Sequence, residues 1–413
     1  MSLQQSTDKN ISITDTIETT ADDLFCYHYN KDVSVLSSTE TKQCRGIIKT
    51  SKQKVVCRSF GFTPEFTLSD VENISNHVLP LLDNPNVLVF PSQEGTMIRV
   101  FHYSDEWYFS THKKINSFES RWGCDKSFGD LFVEAYKRKY EVELKSIYED
   151  LDERFNKENV YVFLLKNCML NRIVCSAPEY PEVELICHLQ MTPGVVETTH
   201  CHFYNETESL TTLFTKDNLS ELVSDIDITK YQGYLFIDLK TLECVKVLNN
   251  KYTELSKLRN NQPSLLFRHI ELQQENMISE LLDELQRFEA LYPEHQDSFN
   301  RLYKVLEDVC DNIYKKYRNR FVRKQISFAP PDQFYIMKSL HDHFLVSGKT
   351  DFITRQKVID HVYKLHPTKI LNLFNSYNNR EQLYGDGNRI SQEDKDKIVS
   401  CIYKDTPTTN QVN

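Results

Sequence analysis

Glycine is scarce in this chain, with ten glycines among 413 residues, whereas an average protein contains about 7% glycine. Neither G-x-x-x-x-G-K-[ST] nor G-x-G-x-x-G occurs. These are the two glycine-rich loops that bind nucleotide phosphates through backbone amides, so both classes of site are excluded. If the chain binds a nucleotide, side chains must hold the phosphates.

Closely spaced cysteine pairs and long apolar runs are also missing. The eleven cysteines are dispersed and none forms a C-x-x-C pair, a pattern that favours reduced thiols over a disulfide framework. Cys187, His188, His200, Cys201 and His202 do not have the spacing of a zinc finger or ribbon, and no metal site is predicted. No stretch approaches the roughly 18 apolar residues that span a bilayer. We therefore expect a cytoplasmic protein without a membrane partner.

Positive charge is in deficit as well. The formal net charge is −10 and the isoelectric point is about 5.8. An acidic chain does not bind nucleic acid through its overall field, so any contact with a polyanion must come from a local cluster of cations.

The hydrophobic pattern predicts an α+β body followed by an all-helical region. Residues 45–60 and 94–112 have the pattern of hairpins with turns around 50–53 and 104–106. Further strands are expected over Tyr161–Leu165, Arg172–Cys175, Glu184–Gln190, Gly233–Leu239 and Cys244–Leu248. After Pro263, apolar residues recur at helical spacing. We expect a flexible leader at 1–23, an α+β domain at 24–262 and a helical domain at 263–413.

A series of short motifs runs through the body in a fixed order. They are CRGII from Cys44, VVCRSFGFTPEF from Val55, SQEGTMI from Ser92, STHKKI from Ser110, YVFLL from Tyr161 with NRIV from Asn171, YQGYLF from Tyr231 and CVKVLNNKY from Cys244. Over roughly residues 44–255 this order resembles the RNA ligases of the phage T4 type. The E-G-T-x-I-R-V-F element, the T-H-K-K strand and the junction from Arg259 to Arg268 are similar to RNA-ligase-like proteins of large cytoplasmic DNA viruses.

The resemblance implies a nucleotidyltransferase fold: an antiparallel-sheet domain of the ATP-grasp-like RNA/DNA ligase kind, followed by an all-helical C-terminal domain. It also implies positions for the reactive groups. The lysine that becomes adenylylated in a K-x-D-G motif corresponds to Ser92. A glutamate on the strand before N-R-I-V corresponds to Leu164 or Leu165, and the metal-binding glutamate of E-G corresponds to Gln232. A glutamine keeps the size of the side chain and loses the charge that binds Mg²⁺.

Several groups that could hold a nucleotide are kept at positions the resemblance assigns to the cleft. The implied nucleotide-binding set is Arg45, Arg58, Glu94, Gly95, Lys113, Lys114 and Lys246. Arg58 is the first candidate for a phosphate or ribose contact. Of the two adjacent lysines, one should face the cleft and the other solvent, because side chains alternate along a strand.

A basic run in the helical region offers a second kind of site. Residues 315–324 read KKYRNRFVRK. On a helix, Lys316, Arg320, Arg323 and Lys324 would share one face, beside an apolar face with Tyr317 and Phe321. In an acidic chain this cluster predicts contact with an RNA backbone, tRNA-like or otherwise.

Two further functions stay open beside a degenerate ligase that binds RNA or nucleotide. One is an active RNA ligase that uses ATP with Mg²⁺ and a lysine other than the usual one: Lys113, Lys114 or Lys246. The other is a protein-interaction scaffold with no nucleic-acid role and no cofactor.

Overall fold

In a computed structural model of the protein, the described residues are 10–30, 38–142, 146–166, 172–190, 200–204, 209–279 and 282–384. The chain divides into two compact units, Met1–Pro263 and Ser264–Asn413. The sequence also predicts a turn at the GDGN of 385–388 and a helix over 391–403, and both lie outside the described residues.

The described residues of the first unit form three sheets. Their strands are β1 Ile11–Ile17, β2 Leu24–Tyr29, β3 Arg45–Thr50, β4 Val55–Cys57, β5 Glu65–Thr67, β6 Val87–Ser92, β7 Thr96–Tyr103, β8 Glu106–Ser110, β9 Asn159–Lys166, β10 Glu182–Gln190, β11 His200–Phe203, β12 Gly233–Asp238 and β13 Cys244–Leu248. The strand orders are β1-β2-β3-β4, β11-β10-β9-β7-β8 and β5-β13-β12-β6. All neighbours are antiparallel except β5 and β13, which are parallel.

Helices complete the first unit and form the second. In the first unit they are α1 Thr39–Gln43, α2 Val71–Asn73, α3 Leu79–Leu82, α4 Phe128–Tyr140, α5 Ile147–Arg154, α6 Leu219–Asp225 and α7 Asn250–Arg259. In the second they are α8 Leu265–Ser279, α9 Leu282–Leu291, α10 Gln296–Tyr317, α11 Pro331–Val346, α12 Arg355–Tyr363 and α13 Pro367–Tyr384. No helix among the described residues has the length and apolar character needed to cross a bilayer. The predicted α+β class, with antiparallel sheets followed by helices, is confirmed.

Both predicted hairpins form, and local chemistry explains the second one. Ser104 and Asp105 have φ of 52° and 64°, the left-handed conformation of a two-residue turn that matches the twist of the flanking strands. The turn joins β7 to β8, with Tyr103 paired to Glu106. In the same sheet the guanidinium of the fully buried Arg99 donates to the carbonyls of Gly46 and Thr111. This side chain therefore ties β7 to the start of β3 and the end of β8.

Two sequence-based expectations in this unit are wrong. Residues Ile11–Ile17 do not belong to a flexible leader, because they form β1 and pair with β2 along its length. Alternation of isoleucines with polar residues was the available signal, and Ile17 packs against the buried core. Arg172–Cys175 is not a strand. The backbone amides of Ile173, Val174 and Cys175 instead donate hydrogen bonds to the carboxylate of Glu94.

The second unit packs around α10. Apolar residues at three- and four-residue intervals along this helix are buried, because that spacing places them on one face. They are Leu302, Val305, Leu306, Val309, Ile313 and Tyr317, and side chains from α11, α12 and α13 complete the cluster.

Buried His269 in α8 should make the second unit lose stability as the pH falls. Its Nε2 lies 2.8 Å from Glu289 Oε1, and its ring stacks on Phe299 at 4.6 Å between centroids. Burial lowers the pKa of His269 below its usual 6.5, although Glu289 acts in the opposite direction. The unfolded chain therefore binds a proton that the folded chain does not. The stability contribution is complete above pH 6.5 and is lost below it, by up to about 1.4 kcal/mol per pH unit.

Thermal unfolding followed by circular dichroism between pH 7.5 and 5 checks this prediction. His269→Gln should flatten the dependence of stability on pH. Tyr303→Phe is the matched control, because the Tyr303 hydroxyl donates to the same Glu289 oxygen at 3.1 Å and does not titrate in this range. It should lower stability equally at every pH. A His269→Gln variant with the parent's pH slope would contradict the prediction.

Candidate functional site

A cavity of about 500 Å³ lies between the β11-β10-β9-β7-β8 sheet and the β5-β13-β12-β6 sheet, and we call it the central cavity. Its lining includes Ser92, Gly95, Leu164, Gln232 and Lys246. These residues come from four separate motifs of the series, and the fold brings them to one place.

Aromatic rings form one wall of the central cavity. Phe60, Phe90 and Phe203 all line it. Phe203 stacks on Phe60 with ring centroids 5.9 Å apart and on Phe90 at 6.0 Å. A flat apolar wall of this kind suits a planar ring system, since aromatic faces stack favourably in an offset arrangement.

Ser92, Gln232 and Lys246 form the polar end of the cavity. Ser92 is the last residue of β6 and only 3% exposed, and its Oγ donates to Gln232 Oε1 at 3.3 Å. Lys246 Nζ donates to the same Gln232 oxygen at 3.1 Å. β12 brings them together because it pairs with β6 on one side and with β13 on the other. One neutral oxygen thus accepts from both a hydroxyl and an ammonium.

A carboxylate that the motifs did not indicate balances Lys246. Glu65 Oε1 in β5 lies 3.0 Å from Lys246 Nζ, and Glu65 also lines the cavity. On another wall Glu184 accepts from Gln93 at 3.4 Å and lies 3.5 Å from Lys166 Nζ. Charges of both signs therefore line the cavity, and a phosphate there would compete with Glu65 for Lys246.

Glycine is required at two positions beside this polar end. A β-carbon on Gly95 would come within 2.7 Å of Leu164 Cδ1, and one on Gly233 within 2.1 Å of the Val247 carbonyl oxygen. Gly233 also has φ of +155°, a conformation that other residues rarely adopt. Close approach of backbones, and not a phosphate loop, explains these glycines.

Arg45 and His112 line the cavity near the start of β3. Arg45 donates to the Gly61 carbonyl at 3.3 Å and to Thr63 Oγ1 at 3.4 Å, and His112 Nδ1 lies 3.4 Å from the Arg45 carbonyl. Burial and the two cations Arg45 and Arg99 hold the pKa of His112 well below its usual range. This histidine is neutral near pH 7. Burial also raises the pKa of the cavity-lining Cys244 to about 12, so its thiol is not a nucleophile near neutrality.

Glu94 is oriented by the fold and is engaged with backbone amides. Its two carboxylate oxygens accept from the amides of Ile173, Val174 and Cys175 at 2.9, 2.7 and 3.0 Å. These hydrogen bonds explain why residues 172–175 form a loop and not a strand. The Glu94 carboxylate therefore holds this loop beside the cavity.

Three other candidates lie away from the central cavity. Arg58 lines a separate cavity of about 290 Å³ with Phe62 and Glu243. Lys114 pairs with Asp15 of β1 at 3.0 Å and with Glu119 at 3.3 Å. Lys113 is exposed, and neither lysine is among the cavity-lining residues.

The basic run in the second unit departs from the predicted helix. α10 ends at Tyr317, a π-helical turn covers Arg318–Val322, and Lys324 has φ of +56°. The expectation that Lys316, Arg320, Arg323 and Lys324 share one face of a regular helix is therefore wrong. Lys316 donates to Gln333 at 3.2 Å, and the Arg320 guanidinium lies 4.9 Å from the Phe334 ring. Tyr317 and Phe321 do pack into the core of the unit.

Sequence reasoning missed a second large cavity, of about 670 Å³, which shares Gln93, Gly95, Thr96 and Tyr231 with the first. Its cations are Arg121, Lys166, Arg172 and Lys230. They come from three separated stretches of the sequence and lie in no basic run, so composition offers no signal for them. No group of three or more histidine, cysteine, aspartate or glutamate side chains suited to a metal occurs among the described residues.

Two relatives of known sequence are proteins of invertebrate iridescent viruses. The chain is 29% identical over 303 residues to an "Immediate-early protein ICP-46 homolog" of Invertebrate iridescent virus 3, covering 72% of this chain and 63% of the relative. It is 24% identical over 317 residues to the protein of the same description in Invertebrate iridescent virus 6, covering 73% and 68%. The chain thus spans slightly less than two thirds of the first relative's length.

No protein-family profile matches the chain. Among solved structures, it is similar to an "Archaeal ATP-dependent RNA ligase - form 2" with 12% identity and a TM-score of 0.36, covering 71% of this chain and 76% of that chain. The chain is similar to the viral proteins over most of its length.

Proposed function

We propose that the chain is an RNA-ligase-like protein that holds a nucleotide in the central cavity without becoming covalently attached to it. The observation that carries this proposal is the polar end of the cavity. The position of the adenylylated lysine is occupied by Ser92, whose hydroxyl is hydrogen-bonded to Gln232. Both the nucleophilic amine and the metal-binding carboxylate of a covalent nucleotidyltransferase are absent from these two positions.

The rest of the cavity supports binding. Its volume of about 500 Å³ is within the range of small-molecule sites, which combine an apolar lining with a few placed polar groups. The stacked wall of Phe60, Phe90 and Phe203 suits a base, and Lys246 and Arg45 are the cations for a phosphate. Charge-assisted hydrogen bonds of this kind bind phosphate without any catalysis.

The site favours this function over the two alternatives. An active ligase with ATP and Mg²⁺ would require Lys246 as nucleophile, because Lys113 and Lys114 do not line the central cavity. Lys246 is held by Glu65 and Gln232. A pure interaction scaffold would have no use for a cavity with this lining. RNA, tRNA-like or otherwise, is the proposed macromolecular partner, and the cytoplasm, host cytoplasm for a viral protein, is the proposed compartment.

Nucleotide should stabilise the first unit against heat. At ten times the dissociation constant, ATP or GTP would stabilise the unit by about 1.4 kcal/mol, which raises the melting temperature measurably by scanning fluorimetry. Lys246→Gln should lose most of this shift. Lys113→Gln is the matched control, because it removes an exposed lysine outside the cavity. No shift at millimolar nucleotide, or equal shifts in both variants, would contradict nucleotide binding at this site.

A further inference from the structure

A third cavity, of about 490 Å³, lies along β8, the last strand of the β11-β10-β9-β7-β8 sheet. We call it the aromatic cavity, because β8 contributes Trp107, Tyr108 and Phe109 to its lining. Residues 17–20, at the end of β1 and just after it, line it as well. None of its described lining residues also lines the central cavity, so the aromatic cavity is a separate site.

Three rings of the aromatic cavity meet at steep angles. The ring centroid of Phe109 lies 6.0 Å from that of Phe118, with the two planes at 87°, and 5.8 Å from that of Tyr148, with the planes at 59°. Tyr148 in α5 is 46% exposed, so its ring is accessible to a ligand that enters from solvent. Rings in different planes can present their electron-rich faces to one cation from more than one side, as aromatic cages for quaternary ammonium groups do.

The charge of the aromatic cavity is negative. Glu18 and Glu106, both exposed, are the charged residues of its described lining. Within the described part of the chain neither glutamate forms an ion pair, and Glu106 accepts a hydrogen bond from the Tyr108 hydroxyl at 3.2 Å. Lys114, next in the chain to a lining residue, is already paired with Asp15 at 3.0 Å. The two glutamates therefore leave a concave surface that attracts cations.

We propose that the aromatic cavity binds a small quaternary ammonium ion, with its methyl groups against Phe109, Phe118 and Tyr148 and its charge balanced by Glu18 and Glu106. A primary ammonium is strongly hydrated and needs acceptors for three N–H groups. A quaternary ammonium has no N–H group, and its methyl groups gain from burial against rings while its charge interacts with their faces. The volume of about 490 Å³ is within the range of small-molecule sites. This site goes beyond nucleotide binding and does not depend on it.

Isothermal titration calorimetry of the full chain with choline measures this binding directly. The matched control ligand is 3,3-dimethylbutan-1-ol, which has the shape of choline with a carbon in place of the charged nitrogen. Choline should give a saturable heat. The alcohol should bind at least about tenfold more weakly, because it has no charge for the ring faces or for the two carboxylates to attract.

Substitutions test the carboxylates and the rings separately. Glu18→Gln/Glu106→Gln should weaken choline binding by about fivefold or more and leave the affinity for the alcohol unchanged. Glu72→Gln/Glu221→Gln is the matched control, since both glutamates are exposed outside the cavity and the charge change is the same. Tyr148→Ala should weaken choline binding by about fivefold, whereas Tyr148→Phe keeps the ring and should bind choline as the parent does.

Four outcomes would overturn the proposal. The first is the absence of a saturable heat with choline. The second is equal affinity for choline and the alcohol, which would make the cavity an apolar pocket without recognition of charge. The third is tighter binding of spermidine than of choline, which would make primary and secondary amines the ligand class. The fourth is an unchanged choline affinity in Glu18→Gln/Glu106→Gln. Failure of the nucleotide proposal is distinguishable, because it appears as a missing ATP-induced melting shift while choline binding persists.

Discussion

Incubation with α-³²P-labelled ATP and Mg²⁺ or Mn²⁺ is expected to leave no labelled protein band on a denaturing gel. The covalent route needs an amine that attacks the α-phosphate and forms a phosphoramide, which divides one difficult transfer into two easier ones. Ser92 at that position has a hydroxyl that donates to Gln232. No base contacts Ser92 Oγ within the described residues. Removal of the nucleophile of such a mechanism costs several orders of magnitude in rate.

Replacing the nucleophile alone should not restore ligation. In Ser92→Lys the new ammonium would lie beside the Gln232 oxygen that already accepts from Lys246. The positions of the expected carboxylates would still be Gln232 and Leu164, so a divalent ion and the charge that develops in the transition state would lack their ligands. Sealing of a nicked, 5′-labelled RNA duplex by this variant, measured on a sequencing gel, should stay at the background without enzyme.

A labelled band in the parent protein would contradict the proposal that the chain binds nucleotide without becoming covalently attached to it. Its origin could then be assigned with lysine variants. Loss of the band in Lys246→Ala, but not in Lys113→Ala or Lys114→Ala, would identify Lys246 as an alternative nucleophile inside the cavity. Loss in one of the other two would mean that the cavity described above is not the reactive site.

Much of the first unit could be predicted from local pattern. The β7–β8 hairpin follows from alternating apolar residues around Ser104 and Asp105, and the polar end of the cavity follows from motif order, since Ser92, Gln232 and Lys246 do meet. The alternating isoleucines of β1 are a weak signal by themselves, because these seven residues gain their stability from pairing with β2. Pairing between strands is not visible in a window of sequence.

The direction in which side chains point was harder to predict from the sequence than the position of the strands. The resemblance assigns Lys113 and Lys114 to the cleft, and alternation along a strand would turn one of them toward it. β8 ends at Ser110, however, so the alternation does not reach these lysines. The ion pair of Lys114 with Asp15 joins residues 99 positions apart, and nothing local indicates it. The second large cavity is a similar case, because Arg121 and Arg172 come from separate loops and line one cavity only in the folded unit.

Glu94 was predicted to contact nucleotide, yet its hydrogen bonds give it a structural role whose loss should be costly. Removal of the carboxylate in Glu94→Ala leaves three backbone amides, at 173, 174 and 175, without their acceptor. The Tyr252 hydroxyl, whose pKa is raised by burial and by Glu94, also loses its neighbour. Each unsatisfied buried donor costs about 1–3 kcal/mol, and we expect the free energy of unfolding to fall by about 3 kcal/mol or more.

Urea unfolding followed by tryptophan fluorescence measures this loss in the first unit alone, because both tryptophans, Trp107 and Trp122, belong to it. Glu182→Ala is the matched control: Glu182 is an exposed glutamate that lines the second large cavity together with Glu94, and its removal should change stability by no more than about 0.5 kcal/mol. Glu94→Gln should fall between the two, since the amide keeps one acceptor oxygen. If Glu94→Ala unfolds at the parent's urea concentration but loses the ATP-induced melting shift, then Glu94 is a ligand contact and the loop at 172–175 is held by other means.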